Sequence, residues 1–61
     1  METLYIIEST NANGTRYYPN LDLDSAMIAA RILSRLGGTA NVYPKGPKGT
    51  WATFRNGRRD Y

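Results

Sequence analysis

The sequence contains neither cysteine nor histidine, and these two absences exclude several kinds of chemistry. Without cysteine no disulfide forms, and without either residue type the common zinc sites cannot be built. Nucleophilic catalysis that depends on a cysteine or a histidine is excluded for the same reason. We therefore expect a protein that is not an enzyme, with no metal, no cofactor and no small-molecule substrate.

Long apolar segments are absent as well. No apolar run approaches the roughly 18 residues of a membrane span, and the first residues lack the basic start and apolar stretch of a signal peptide. Together with the absence of cysteine, this predicts a cytoplasmic protein with no membrane contact. At 61 residues the chain predicts one small domain, residues 1–61, near the lower size limit for folding alone.

Charge is distributed unevenly along the chain. The formal net charge is +3, but residues 1–30 hold one arginine and four acidic residues, whereas residues 31–61 hold seven lysines and arginines and one acidic residue, Asp60. This asymmetry indicates that the C-terminal half faces an anionic partner, either nucleic acid or an acidic protein surface. The alternative is that the basic residues only keep a small domain soluble.

A β-hairpin is predicted at the N-terminus. Residues 3–9 are rich in β-branched and aromatic side chains, which favour a strand. Asn13-Gly14 is a strong hairpin signal, because both residues tolerate the positive φ of a type I′ turn. Thr15 to Tyr18 predict the returning strand, and Pro19 is expected to end it by removing a backbone donor.

One helix is predicted between Asp22, a good N-cap, and Leu36, with Gly37-Gly38 as the left-handed C-terminal signal. At 100° per residue an apolar face should pack on a sheet. We expect this face to contain Ala26, Ala29, Ala30, Ile32, Leu33 and Leu36. The opposite face should contain Asp24, Ile28, Arg31 and Arg35, with Met27 at its edge.

The rest of the chain predicts further strands. Residues 39–43 and 50–55 alternate in the manner of strands, and the loop Lys45–Gly49 joins them. Asn56-Gly57 is a second type I′ signal, so residues 58–61 should return as a short fifth strand. The order ββαβββ predicts an α+β fold: an antiparallel sheet of about five strands with one helix packed on one face.

Alternation along these strands divides the side chains between the two faces of the sheet. We expect the helix to cover Leu4, Ile6, Ala40, Val42, Ala52 and Phe54. The open face should then carry Tyr5, Ile7, Tyr43, Trp51, Thr53 and Arg55. Trp, Tyr and Arg are typical of protein interaction hot spots and of surfaces that stack single-stranded nucleic acid. They also stabilise sheets by cross-strand pairing alone, which is the interpretation we favour for Tyr5 and Tyr17.

No pattern in the sequence predicts a catalytic site. The carboxylates of Asp22 and Asp24 are explained by capping of the helix start. The loop Lys45–Gly49 lacks the spacing of a phosphate-binding loop, and no helix follows it.

Short motifs at three places along the chain match one known family. Tyr5-Ile6-Ile7 stands in the first strand and Ser25-Ala26 at the helix start. The last hairpin contains a Gly-x-Trp-x-x-aromatic-basic pattern from Gly49 to Arg55, followed by Gly57-Arg58-Arg59. In these motifs the chain resembles a small family of phage anti-CRISPR proteins that inhibit the type I-F surveillance complex.

The resemblance implies a five-stranded antiparallel sheet beside one helix. It also implies a non-enzymatic protein that binds the backbone subunits of the host CRISPR ribonucleoprotein, where target DNA would otherwise engage. The basic positions of the family's last strands correspond to Arg55 and Arg59. The chain departs from the family early in the helix, where Met27 and Ile28 replace basic residues, although Arg31 and Arg35 follow a turn later.

We therefore predict a phage inhibitor that acts in the host cytoplasm, by blocking target DNA or by contacting DNA directly while bound to the complex. Two other functions stay open: an autonomous nucleic-acid-binding module, and an inhibitor of another host protein such as RNA polymerase. The predicted partner-binding surface consists of Arg31, Arg35, Trp51, Arg55, Arg58 and Arg59.

Overall fold

The computed structural model describes residues 3–60, which form a five-stranded sheet with one helix on it. Every neighbouring pair of strands is antiparallel, in the order β2-β1-β3-β4-β5. The predicted α+β fold and its ββαβββ order are confirmed. The elements are β1 (Tyr5–Asn11), β2 (Gly14–Leu21), α1 (Leu23–Arg35), β3 (Thr39–Pro44), β4 (Ala52–Arg55) and β5 (Arg58–Arg59).

The two hairpin turns differ from each other. Asn56 and Gly57 have φ of 55° and 78°, so the second turn has the positive values that a type I′ turn requires. In the first hairpin Asn11 pairs with Gly14, and Asn13 does not have a positive φ. Instead, the side chain of Asn11 accepts a hydrogen bond from the backbone N–H of Asn13 at 2.7 Å. The predicted hairpin is correct, but its predicted type I′ turn at Asn13-Gly14 is wrong, because an Asx turn forms there.

Strand β2 continues past Pro19, against prediction. It lies at the sheet edge, and its register with β1 shifts between the pairs Ile7–Tyr18 and Tyr5–Leu21. An edge strand needs only half of its backbone donors, so a proline is tolerated there. At the other end of the sheet, the predicted continuation of the fifth strand to Tyr61 lies outside the described residues.

Helix α1 begins and ends as predicted. The Asp22 side chain accepts a hydrogen bond from the backbone N–H of Ser25 at 3.3 Å, and the hydrogen bonds from Ser25 lower the pKa of this carboxyl. Gly37 and Gly38 both have positive φ. A Cβ on Gly38 would overlap the carbonyl oxygen of Thr10, so only glycine allows the chain to pass this close to β1.

The core lies between α1 and one face of the sheet, and its β1 side chains are not those predicted. Tyr5 and Ile7 face the helix, while Leu4 is 39% exposed. Residues 4–7 are all apolar, so alternation alone could not identify the buried set; pairing decides it, since Ile7 lies opposite the buried Val42. The buried apolar residues are Tyr5, Ile7, Ala26, Ala30, Ala40, Val42, Ala52 and Phe54.

The helix is also rotated relative to the predicted core face. Ala26 and Ala30 are fully buried and Leu33 packs against the core, as predicted, but Ile32 is 53% exposed and Leu36 77% exposed. The reason is that a polar residue, Ser34, occupies the buried position near the end of the helix, where its hydroxyl oxygen accepts a hydrogen bond from the backbone N–H of Gly57. Met27, expected at the edge of the solvent face, packs against the core instead.

Candidate functional site

Basic residues of the helix and of the last hairpin lie at one end of the molecule. Arg55 and Arg58 are cross-strand partners on either side of the Asn56-Gly57 turn. The side chain of Arg35 lies on this turn, so that a Cβ on Gly57 would be 2.5 Å from its Cγ. Arg31 lies one helical turn back from Arg35 and is exposed. We call these four residues, Arg31, Arg35, Arg55 and Arg58, the cationic end.

A buried serine connects the two elements of the cationic end. Ser34 is fully buried in α1, and its Oγ donates to the carbonyl oxygen of Arg31 at 2.9 Å. The same Oγ accepts a hydrogen bond from the backbone N–H of Gly57 at 2.8 Å. This contact holds the β4–β5 turn against the helix, and therefore sets the position of Arg35 relative to the hairpin arginines.

Acidic residues compensate little of this charge. Within residues 3–60 one ion pair is present, between Arg55 Nε and Asp60 Oδ2 at 3.9 Å, and both side chains are more than half exposed. Solvent screening makes such a pair weak. Asp22 and Asp24 lie at the opposite end of α1, which at 13 residues is about 20 Å long. The cationic end therefore keeps most of its positive charge.

Trp51 and Arg59 do not belong to this cluster. Trp51 precedes β4, about 13 Å along the strand from Arg55. The residue is 63% exposed, and its ring stacks on Tyr43 with a centroid distance of 5.4 Å. Arg59 pairs with Phe54, on the other face from Arg58, and its guanidinium donates to the carbonyl oxygen of Trp51 at 3.4 Å. The six predicted site residues thus lie in at least two places.

An exposed apolar stripe runs beside the helix arginines. Ile28, Ile32 and Leu36 are all more than half exposed. At 100° per residue they share the outer face of α1 with Arg31 and Arg35. Ile28 was expected on this face, but Ile32 and Leu36 were not, so an exposed patch of both apolar and basic character was missed from sequence. We call the five residues Ile28, Arg31, Ile32, Arg35 and Leu36 the outer helix face.

The open face of the sheet carries a polar network that crosses four strands. Glu8 accepts hydrogen bonds from the Tyr17 hydroxyl and from Asn41 Nδ2, both at 3.2 Å. The Thr53 hydroxyl donates to Asn41 Oδ1 at 2.8 Å. Glu8 raises the pKa of the Tyr17 hydroxyl above 10.0, first through the hydrogen bond and then through charge repulsion of the phenolate.

Glu8 and Asn41 were absent from the predicted open face. The prediction assigned the β1 side chains to the wrong faces of the sheet. It placed Tyr5 and Ile7 on the open face, where the structure has Ile6 and Glu8. The signal that would have found Glu8 is the pairing of β1 with β3, where Glu8 lies opposite Asn41.

The described residues contain no cluster of three or more acidic side chains suited to a metal ion, and no helix among them is long and apolar enough to cross a membrane. Comparison with known proteins finds no matching family, no matching curated protein and no matching solved structure.

Proposed function

We propose that this protein is a non-enzymatic inhibitor that binds a host ribonucleoprotein through its cationic end and outer helix face. The observation that carries the proposal is that exposed apolar and basic side chains lie side by side at the C-terminal part of α1. Contiguous exposed apolar side chains favour contact with a protein, whereas uncompensated arginines favour contact with phosphates. A ribonucleoprotein offers both surfaces together.

The resemblance to anti-CRISPR proteins narrows the partner to the backbone subunits of the type I-F surveillance complex. The fold that the resemblance implies, a five-stranded antiparallel sheet beside one helix, is the fold of this chain. Two of the matched basic positions, Arg55 and Arg59, lie in the last hairpin. Positive charge would speed the encounter, and the apolar stripe would slow dissociation, because affinity depends mainly on desolvated contacts.

Interference with DNA recognition then needs no catalysis. A protein with principal extents of 35, 20 and 16 Å, bound beside a nucleic-acid groove, occupies space that target DNA requires. Its arginines would also contact phosphates of the target DNA, which the complex itself would otherwise bind.

The test measures binding of the purified protein to the type I-F complex by calorimetry or surface plasmon resonance. Arg55→Glu/Arg58→Glu reverses two charges at the turn, and each reversal places an acidic group against an anionic surface. We expect affinity to fall at least 100-fold with an unchanged circular dichroism spectrum. The matched control is Lys45→Glu/Lys48→Glu, which makes the same change in net charge in the loop before β4 and should lower affinity less than tenfold. Equal effects of both double variants would show a general charge effect and remove the cationic end as the site.

A third variant, Ile32→Gln, removes the apolar side chain without adding a charge and separates a protein partner from bare nucleic acid. We expect it to weaken binding to the complex while leaving any binding to free DNA nearly unchanged. Free DNA is titrated across a salt series, where each phosphate neutralised adds about −0.9 to the log–log slope. Tight, steeply salt-dependent binding to free DNA, together with binding to the complex that Ile32→Gln does not weaken, would favour an autonomous nucleic-acid-binding module. Binding to RNA polymerase but not to the CRISPR complex would favour the third function.

A further inference from the structure

The polar side chains on the open face of the sheet have their hydrogen-bond donors turned inward. The hydroxyl protons of Tyr17 and Thr53 are used within the network, on Glu8 and on Asn41. The amide of Asn41 can only point its nitrogen at Glu8, since the reverse orientation would place its oxygen against the carboxylate. Apart from the second amide hydrogen of Asn41, the network therefore presents only hydrogen-bond acceptors to a ligand. These acceptors are the carboxylate lone pairs and the hydroxyl oxygens.

The carboxylate at the centre of this network has no cationic partner. Within residues 3–60 no lysine or arginine forms an ion pair with Glu8, although the side chain is half-buried. Its two hydrogen bonds come from neutral groups, so its negative charge remains available. A half-buried charge of this kind interacts more strongly with a cation than a fully solvated one does.

An aromatic wall stands beside the carboxylate. Tyr43 and Trp51 are stacked with an angle of 19° between their planes, and Trp51 is largely exposed. The wall and the network together enclose a shallow depression of about 330 Å³. Its lining includes Glu8, Asn41, Tyr43, Trp51 and Thr53.

We infer that this depression binds the guanidinium group of an arginine from a partner protein. A guanidinium is planar, positively charged and has only donors, so it complements an acceptor-only carboxylate site and stacks on an indole. Two parallel N–H···O bonds to Glu8 would fix its orientation. A lysine ammonium has the charge but not the flat surface, and a guanine base has the donors but brings a phosphate that Glu8 repels. The inference goes beyond the proposed function, because no residue of the cationic end or the outer helix face takes part.

The probe is the peptide acetyl-Gly-Arg-Gly-amide, compared with peptides that contain lysine or citrulline in place of arginine. Trp51 is the one tryptophan of the chain, so its fluorescence reports binding at this site directly. We expect saturable binding of the arginine peptide with a dissociation constant on the order of 1 mM. Lysine should bind at least threefold more weakly, and citrulline, which has the same shape without the charge, should not bind measurably.

Glu8→Gln keeps the size of the side chain and removes the charge, and it should weaken the arginine peptide at least tenfold. Asp24→Asn, which neutralises an exposed carboxylate on the helix, is the matched control and should bind like the unmodified protein. If Glu8→Gln does not fold, Trp51→Leu tests the same site. Binding of the arginine peptide to this variant is followed by the NMR signal of the Asn41 side-chain amide. Equal binding of citrulline, no loss in Glu8→Gln, or preference for guanosine over the arginine peptide would each overturn the inference. Arg55→Glu/Arg58→Glu should still bind the peptide, so a failure of this inference can be distinguished from a failure of the proposed function.

Discussion

Replacing Ser34 by alanine tests how the basic hairpin is held on the helix. The Ser34 Oγ is fully buried and is the acceptor for the backbone N–H of Gly57 at 2.8 Å. Alanine removes this acceptor without a steric change. We therefore expect Ser34→Ala to destabilise the fold, although alanine is the better helix former.

The size of the effect follows from two opposing contributions. A buried donor left without a partner costs about 1–3 kcal/mol. Replacing serine by alanine in a helix interior stabilises the helix by about 0.5 kcal/mol, because alanine has the higher helix propensity. Because Gly57 is only half-buried and water can reach it in part, the net loss should be about 0.5–2 kcal/mol, or about 2–16 °C in Tm for a domain of this size. That is a substantial part of a total stability of about 3–9 kcal/mol for 61 residues.

Urea denaturation followed by circular dichroism measures the loss, and amide hydrogen exchange of Gly57 locates it. The Gly57 amide should be protected in the unmodified protein and exchange much faster in Ser34→Ala. Unchanged or increased stability, with Gly57 equally protected in both proteins, would refute the reasoning. It would mean that water or another group satisfies this amide and that the Ser34 contact does not position the hairpin.

Two further predictions concern the helix orientation and the open face. Leu33→Ala should lower the free energy of unfolding by about 2 kcal/mol, which is the lower limit for truncation of a core leucine because this side chain is partly exposed. Arg31→Ala should lower it by less than about 0.5 kcal/mol. Comparable losses in chemical denaturation would show that the helix orientation is wrong. The pKa of Tyr17, followed by carbon-13 NMR of the ring, should lie above 10.0 and return toward that value in Glu8→Gln. A pKa raised in the folded state means that this contact stabilises the fold below pH 10 and that its contribution is lost as pH rises through the folded pKa. An unchanged Tyr17 pKa in Glu8→Gln would show that the charge of Glu8 does not act on the Tyr17 hydroxyl in solution.

The sequence by itself determined the order of elements and most of their ends. Asp22 caps the helix, two glycines with positive φ follow it, and Asn56-Gly57 forms the predicted turn. Each of these features depends on residues within a few positions of one another. Their conformational preferences act before any distant contact forms, so they can be predicted from the chain alone.

Tertiary structure decided which side chains the fold buries and which it exposes. In β1 an uninterrupted apolar run left the buried face undetermined until pairing with β3 placed Ile7 opposite Val42. In α1, the contact of Ser34 with Gly57, 23 residues away, buried a serine and left Ile32 exposed.

The candidate surfaces depend on the same long-range contacts. Arg35 contacts the turn at Gly57, 22 residues further along the chain, and Trp51, close to Arg55 in sequence, lies beyond the opposite end of β4. Glu8 meets Asn41 only through strand pairing. Residue types indicate what a surface could bind, but the packing of distant segments decides which residues form that surface.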